Sequence, residues 1–107
     1  DLIIRVNVQP HPKFKRDGRD IFYDVQISIT DAGLGKNLEV PTLEGFSKIT
    51  VESGSQPNTI IKLKGKGLPG RGYRGHGDQY VRLVVNVPKR LNKHQKDLLK
   101  EFEDSFN

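Results

Sequence analysis

Apolar and polar residues alternate along several short stretches of this chain, which is the pattern of strands that bury one face. In the longest stretch, one face carries Ile21, Tyr23, Val25, Ile27 and Ile29. The same pattern predicts further strands at residues 2–8, 37–40, 46–51, 59–64 and 79–87. Glycine, proline and asparagine, which favour turns, separate these stretches. The chain is therefore predicted to be mainly β.

The apolar spacing changes after Pro88. Asn92 and Gln95 have the spacing of a capping box, and the apolar residues that follow recur at helical intervals, namely Leu98, Leu99, Phe102 and Phe106. The sequence predicts a single helix, at the C-terminus. Because an isolated helix of about fifteen residues is marginal in water, its apolar face must dock on its own domain or on a partner chain. The terminal position and the basic residues before it favour a partner chain.

Length and composition describe one ordered domain with a thin core. The chain has 107 residues, of which 34% are hydrophobic and 29% charged. It contains no cysteine, which excludes disulfides, thiolate catalysis and cysteine zinc sites and suits a reducing compartment, so we expect a cytoplasmic protein. No apolar stretch approaches the roughly 20 residues that cross a bilayer, and no membrane partner is expected.

The N-terminal segment suggests a piece of a longer protein. The chain starts with Asp1 rather than methionine, directly inside a strand-like run. Residues 1–8 resemble residues 78–85 in their aspartate, arginine and final valine. We therefore expect residues 1–10 to be the last strand of a preceding homologous domain and its hinge.

A glycine-rich stretch, residues 62–80, contains the dinucleotide-binding pattern G-x-G-x-x-G at Gly65, Gly67 and Gly70. That motif holds a pyrophosphate only where it opens a helix. Several more glycines follow Gly70, and each disfavours a helix by about 1 kcal/mol relative to alanine. The dinucleotide interpretation therefore fails.

Nucleic-acid binding is the better alternative for this stretch. The net charge is +5, and the positive charge lies in residues 54–107. Within residues 62–77, the basic residues and one aromatic could contact phosphates and stack on a base: Lys62, Lys64, Lys66, Arg71, Tyr73 and Arg74. One aromatic residue is few for single-stranded RNA, and a surface connection with solvated lysines is the simpler interpretation. We do not expect nucleic acid among the partners.

No motif in the sequence indicates catalysis. His11, His76 and His94 are far apart, and none lies in a metal-ligand motif. No serine has the setting of an activated nucleophile. We expect no enzyme activity, no metal and no cofactor in this chain.

Six short motifs in a fixed order carry a family resemblance: PHPKF (residues 10–14), ITDAGLG (29–35), VPTLEG (40–45), KGKGLP (64–69), GD (77–78) and LNKHQ (91–95). Together they resemble the second C-terminal β-domain of a DnaJ-type (J-domain) co-chaperone, and the resemblance covers essentially the whole chain. Gly33 departs from the family pattern, in which alanine is usual.

The resemblance implies a small β-sandwich of the DnaJ C-terminal type over residues 11–89 and a dimerisation helix over residues 90–107. It implies a homodimer through that helix, binding of unfolded client polypeptides, and delivery of clients to a DnaK-type chaperone by the full-length protein. Without a J domain, this chain is not expected to stimulate the ATPase of that chaperone. It also implies that the glycines of residues 64–70 form a turn at positive φ rather than a ligand site.

Client capture in this family uses an apolar depression beside a strand edge. Transfer of that depression by strand order points to Tyr23, Val25, Leu38 and Val40. The alternative is that these four side chains simply fill the core. A chaperone module, an RNA-binding module and a plain structural linker therefore remain as function classes, with the first favoured.

Overall fold

A computed structural model of the chain describes residues 14–70 and 75–106. The described part contains six strands and two helices: β1 (Lys15–Asp17), β2 (Asp20–Ser28), α1 (Ile29–Leu34), β3 (Lys36–Thr42), β4 (Gly45–Val51), β5 (Ile60–Leu63), β6 (Gln79–Asn86) and α2 (Lys93–Asp104). Five of the six predicted strands are present within one or two residues of their expected ends. The sixth, at residues 2–8, lies outside the described residues.

The strands form two sheets. One has four strands in the order β1-β2-β6-β5, and the other is the β3–β4 hairpin. The central strands β2 and β6 pair in parallel, from Ile21 opposite Gln79 to Ser28 opposite Asn86. The other pairs are antiparallel. β2 and β6 are far apart in the sequence, and the β3–β4 hairpin and β5 lie between them in the chain. Their pairing therefore brings the two ends of the domain side by side.

The core lies between the two sheets. Alternation along β2 buries Ile21 and Ile27 and leaves Asp24 and Gln26 exposed. The hairpin contributes Val40, Ile49 and Val51, and β6 contributes Val81 and Leu83, to two adjoining clusters of buried side chains. The prediction of a mainly β fold, a small sandwich with a C-terminal helix, is confirmed.

A short helix, α1, was not expected from the sequence, which placed Ile29 at the end of a strand and allowed only the C-terminal helix. Ser28 caps α1: its hydroxyl accepts a hydrogen bond from the Asp31 amide at 3.0 Å. The Asp31 carboxylate accepts one from the Ser28 amide at 3.2 Å. This reciprocal capping box satisfies amides that would otherwise lack partners and outweighs the poor helix propensity of Ile29, Thr30 and Gly33.

The C-terminal helix begins where the sequence predicts. The Asn92 side chain accepts from the Gln95 amide at 2.8 Å, and the Gln95 side chain accepts from the Asn92 amide at 2.9 Å. Among the described residues, no helix is long and apolar enough to span a membrane. The domain boundaries proposed at residues 10 and 90 stay predictions, and residues 1–10 lie outside the described part.

Candidate functional site

The four residues assigned to client binding lie together at the interface of the two sheets. Val40 is completely buried, whereas Tyr23, Val25 and Leu38 are partly buried and pack against the core. Burial of Val40 agrees with the alternative that these side chains fill the core. A bound polypeptide could reach Tyr23, Val25 and Leu38 directly, but it could reach Val40 only if the sheets separated.

Phe14 extends this group, and sequence reasoning missed it. Its ring lies 5.7 Å from that of Tyr23, tilted by 51°. Phe14 precedes β1, a three-residue strand of charged residues with no apolar alternation, so only its own apolar character could have indicated a role. We call Phe14, Tyr23, Val25 and Leu38 the apolar rim.

A shallow depression lies on the outer face of the β3–β4 hairpin, the side away from the core. Its volume is about 340 Å³, and its lining combines Leu38 and Ile49 with the polar residues Asn37, Glu39, Lys48 and Thr50. Asn37 and Thr50 lie opposite each other on β3 and β4 and are joined by a hydrogen bond of 3.0 Å. Because successive side chains of a strand point to opposite faces, the four polar residues project into the depression, whereas the Leu38 and Ile49 side chains point to the core. The depression is therefore a polar surface separate from the apolar rim.

A buried glutamine fixes β3 against β6 beneath the apolar rim. Gln79 is fully buried, and its Nε2 donates to the Pro41 carbonyl at 2.9 Å. Its Oε1 has no partner among the described residues. Because the donor lies on one sheet and the acceptor on the other, this bond sets the relative position of the two sheets.

The second candidate surface is the apolar face of α2 together with Phe106, which the sequence placed on the helix but which lies in the turn just after it. Leu98 is 50% exposed, Leu99 38%, Phe102 61% and Phe106 75%, and no residue of α2 is buried. The rings of Phe102 and Phe106 contact each other edge to face at 5.0 Å. The face is therefore not docked on the sandwich, the alternative that the sequence left open. We call these four residues the α2 face.

Further apolar exposure lies at the tip of the β3–β4 hairpin. Leu43 and Phe46 are 43% and 72% exposed, and Leu43 lines a small pocket of about 110 Å³ together with Lys66 and His76. A cavity of this size holds only a few water molecules. Sequence reasoning treated Glu44 and Gly45 as a turn and assigned no exposed apolar contact to it.

The glycine-rich turn serves backbone geometry, but only partly in the expected way. Gly65 has φ +77°, as expected of a turn glycine. Gly67 does not lie at positive φ; a Cβ there would sit 2.4 Å from the Arg19 carbonyl oxygen. Gly77 is equally crowded by Arg19, at 2.3 Å. These two glycines are needed for close approach of two backbone segments.

Asp78 holds the turn in place. Its Oδ1 accepts from the Gly65 amide at 2.9 Å, and its Oδ2 lies 3.5 Å from the Lys62 Nζ. The Gly65 amide, followed by the positive charge of Lys62, lowers the pKa of Asp78 below its ordinary value. The Asp78 amide in turn donates to the Asp20 side chain at 2.8 Å, which ties the turn to β2.

These contacts weaken the RNA-binding interpretation. Lys62, the first basic residue of the stretch, is paired with Asp78. Arg71, Tyr73 and Arg74 lie outside the described residues. The described residues also contain no group of three or more acidic or histidine side chains placed to hold a metal ion.

Comparison with known proteins gives a consistent result. The model of the DnaJ C-terminal domain family matches residues 1–88. A chaperone protein DnaJ of Clostridium perfringens is 52% identical over 102 residues, which are 95% of this chain and 26% of the relative. The DnaJ of Clostridioides difficile is 50% identical over 95% of the chain and 27% of the relative. That of Acetivibrio thermocellus is 47% identical over 97% of the chain. The chain thus spans about a quarter of the length of these relatives.

Proposed function

Because the chain belongs to the DnaJ C-terminal domain family, we propose that it is the client-holding and dimer-forming part of a DnaJ-type co-chaperone. In this proposal the apolar rim contacts unfolded polypeptide, and the α2 face joins two copies. The whole protein would deliver its clients to a DnaK-type chaperone in the cytoplasm. The relatives are named as chaperones, in keeping with binding rather than catalysis.

The observation that carries the proposal is the exposure of the α2 face on an otherwise folded domain. Three large apolar side chains on α2 and a fourth in the turn just after it are each at least 38% exposed. A contiguous exposed apolar face marks a site of protein contact. Burial of such a face at about 25 cal/mol per Å² supplies a strong drive to associate. Pairing of two copies would bring two apolar rims into one molecule, and two linked weak sites hold one long client more tightly than either does alone.

The test is suppression of aggregation of an unfolded model protein by the 107-residue chain and by a form truncated after Lys89. The intact chain should slow aggregation, and the truncated form should slow it less, because it has the apolar rim but no α2. Equal protection by both forms would show that α2 does not contribute to client binding. Failure of both forms would end the proposal of client binding.

Salt dependence separates client binding from RNA binding. Contacts to phosphate lose affinity steeply as salt concentration rises, whereas apolar contacts to an unfolded polypeptide weaken far less. We expect protection against aggregation to change by less than about twofold between 50 and 200 mM salt. A loss of tenfold or more, together with tight binding of single-stranded RNA, would favour the alternative.

A further inference from the structure

Most of the charged residues of α2 are distributed in an order that suits an isolated helix poorly. Lys93 and Lys96 lie at its N-terminal end, and Glu101, Glu103 and Asp104 at its C-terminal end. A helix macrodipole favours acidic residues at the N-terminus and basic residues at the C-terminus. α2 has no acidic residue in its first turn and no basic residue in its last. A second helix that runs the other way would offset this unfavourable arrangement.

Two of these charges border the α2 face. Lys96 and Glu103 are seven residues apart, so they lie on the same side of the helix, two turns from each other. Both are exposed. The ion pair recorded within α2 joins Lys93 to Asp97 at 3.2 Å. In the described part of the chain, neither Lys96 nor Glu103 has a recorded ion-pair partner, and both can therefore contact another molecule.

We propose that α2 pairs with α2 of a second copy in antiparallel orientation, with Lys96 of each chain opposite Glu103 of the other. The inference rests on the dimerisation proposed above and adds its geometry. In an antiparallel pair, one side of a helix faces the same side of its symmetry mate. The Lys96–Glu103 pair therefore forms twice.

The same alignment suits the apolar residues. With Lys96 opposite Glu103, Leu98 of one chain lies close to Phe102 of the other, and the Leu98–Phe102 contact also occurs twice. A parallel, in-register pair would instead place the basic ends side by side and the acidic ends side by side. Charge complementarity therefore selects a second copy as the occupant of the α2 face and selects the direction in which it runs.

Charge reversal tests the pairing. Sedimentation equilibrium of Lys96→Glu should show the dimer dissociation constant raised about tenfold at low salt, because two symmetry-related exposed pairs become repulsive. Glu103→Lys should have the same effect. The double variant Lys96→Glu/Glu103→Lys should return to within about twofold of the unmodified chain, because both pairs re-form with the signs exchanged. Asp104→Lys, a charge reversal on the side of α2 opposite to the α2 face, is the matched control and should change the constant by less than about twofold.

Disulfide cross-linking tests the relative orientation of the two α2 helices directly. The chain has no cysteine of its own, so an introduced cysteine is the only thiol that can react. Lys96→Cys and Glu103→Cys chains, mixed under reducing conditions and then oxidised, should give the mixed disulfide as the main product. Neither variant alone should cross-link efficiently. If dimers persist but the mixed disulfide is absent and the double reversal does not restore affinity, the antiparallel geometry is wrong while dimerisation stands. A chain that stays monomeric at all concentrations overturns both proposals.

Discussion

Gln79 on β6 donates a hydrogen bond from its side-chain amide to the carbonyl of Pro41 on β3, and this bond crosses the core between the two sheets. The Gln79 side chain is fully buried, so its amide cannot exchange this bond for one with water. A buried polar group that loses its partner costs about 1–3 kcal/mol. The bond therefore restricts how the hairpin sits on the four-stranded sheet.

Gln79→Ala should lower the free energy of unfolding by about 2–4 kcal/mol, because it leaves the Pro41 carbonyl unpaired and opens a cavity. Urea denaturation followed by circular dichroism measures the change. Gln26→Ala is the matched control, since Gln26 is exposed on β2, and it should stay within about 0.5 kcal/mol. Equal effects for the two variants would contradict the role assigned to Gln79.

Gly67→Ala and Gly33→Ala should change stability in opposite directions. A Cβ at Gly67 would meet the Arg19 carbonyl oxygen at 2.4 Å, whereas a Cβ at Gly33 meets nothing within 4 Å. Gly67→Ala should destabilise the domain by about 2 kcal/mol or more through forced backbone movement. Gly33→Ala, inside α1, should stabilise it by about 0.5–1 kcal/mol. The shift in thermal midpoint gives the sign in each case, and a neutral Gly67→Ala would show that the turn can relax.

Stability should depend on pH through the pair of Asp24 and Arg82 on the outer face of the sheet. Arg82 donates to both oxygens of Asp24, at 3.0 and 2.6 Å. Hydrogen bonds from Arg82, together with its positive charge, lower the pKa of Asp24 below its ordinary 3.8. A lowered pKa stabilises the fold above the ordinary value, and this contribution is lost as pH falls through the value in the folded protein.

Asp24→Asn should therefore lower the urea midpoint slightly at neutral pH, and the difference from the unmodified chain should shrink as the pH falls below 3.8. The effect is small because both side chains are more than 40% exposed. Arg82→Lys keeps the charge but loses the bidentate hydrogen bond. Its urea midpoint should lie between those of Asp24→Asn and the unmodified chain. A difference that stays constant down to strongly acid pH would exclude this pair as its source.

Phe102→Ala should weaken dimerisation about 100-fold or more, because each dimer loses two aromatic side chains from the α2 face. The unfolding free energy of the monomer should change by less than about 0.5 kcal/mol, since Phe102 is 61% exposed. Lys100→Ala on the opposite side is the control. An unchanged monomer–dimer profile in sedimentation experiments would remove the α2 face from dimerisation.

Tyr23→Ala should reduce protection of an unfolded model protein, because Tyr23 belongs to the apolar rim. Tyr80→Ala makes a matched comparison: Tyr80 is also partly buried, but it lies on the outer face, where its ring stacks on Phe22 at 5.2 Å. Aggregation assays at equal concentrations of folded protein should show a loss for Tyr23→Ala only. If only Tyr80→Ala lost protection against aggregation, the client site would lie on the outer face of the sheet instead of at the apolar rim.

Features that depend on residues close together in the chain could be predicted from the sequence. The alternation of β2 and the capping box of α2 depend on residues close in the chain, and the structure confirms both. The α1 helix was missed because Ile29, Thr30 and Gly33 suit a helix poorly, although Ser28 and Asp31 carried the capping signal. The capping signal was a better guide there than propensity.

Contacts between distant segments were not predictable from spacing. Burial of Gln79 depends on the register of β6 against β3, and the crowding at Gly67 depends on where Arg19 lies. Neither relationship appears in the pattern around the residue itself. For the candidate site, the sequence identified the α2 face and three members of the apolar rim, but it could not show that Val40 is sealed inside.

The parallel register of β2 and β6 also affects how the protein is made. Asp24 and Arg82, side by side in the sheet, are separated by 58 positions in the chain. During translation, β2 emerges from the ribosome long before β6. Until β6 follows, the edge of β2 lacks its parallel partner, and the core lacks Val81 and Leu83. The nascent domain must therefore pass through a stage in which apolar side chains and a strand edge are exposed, as they are in an unfolded polypeptide.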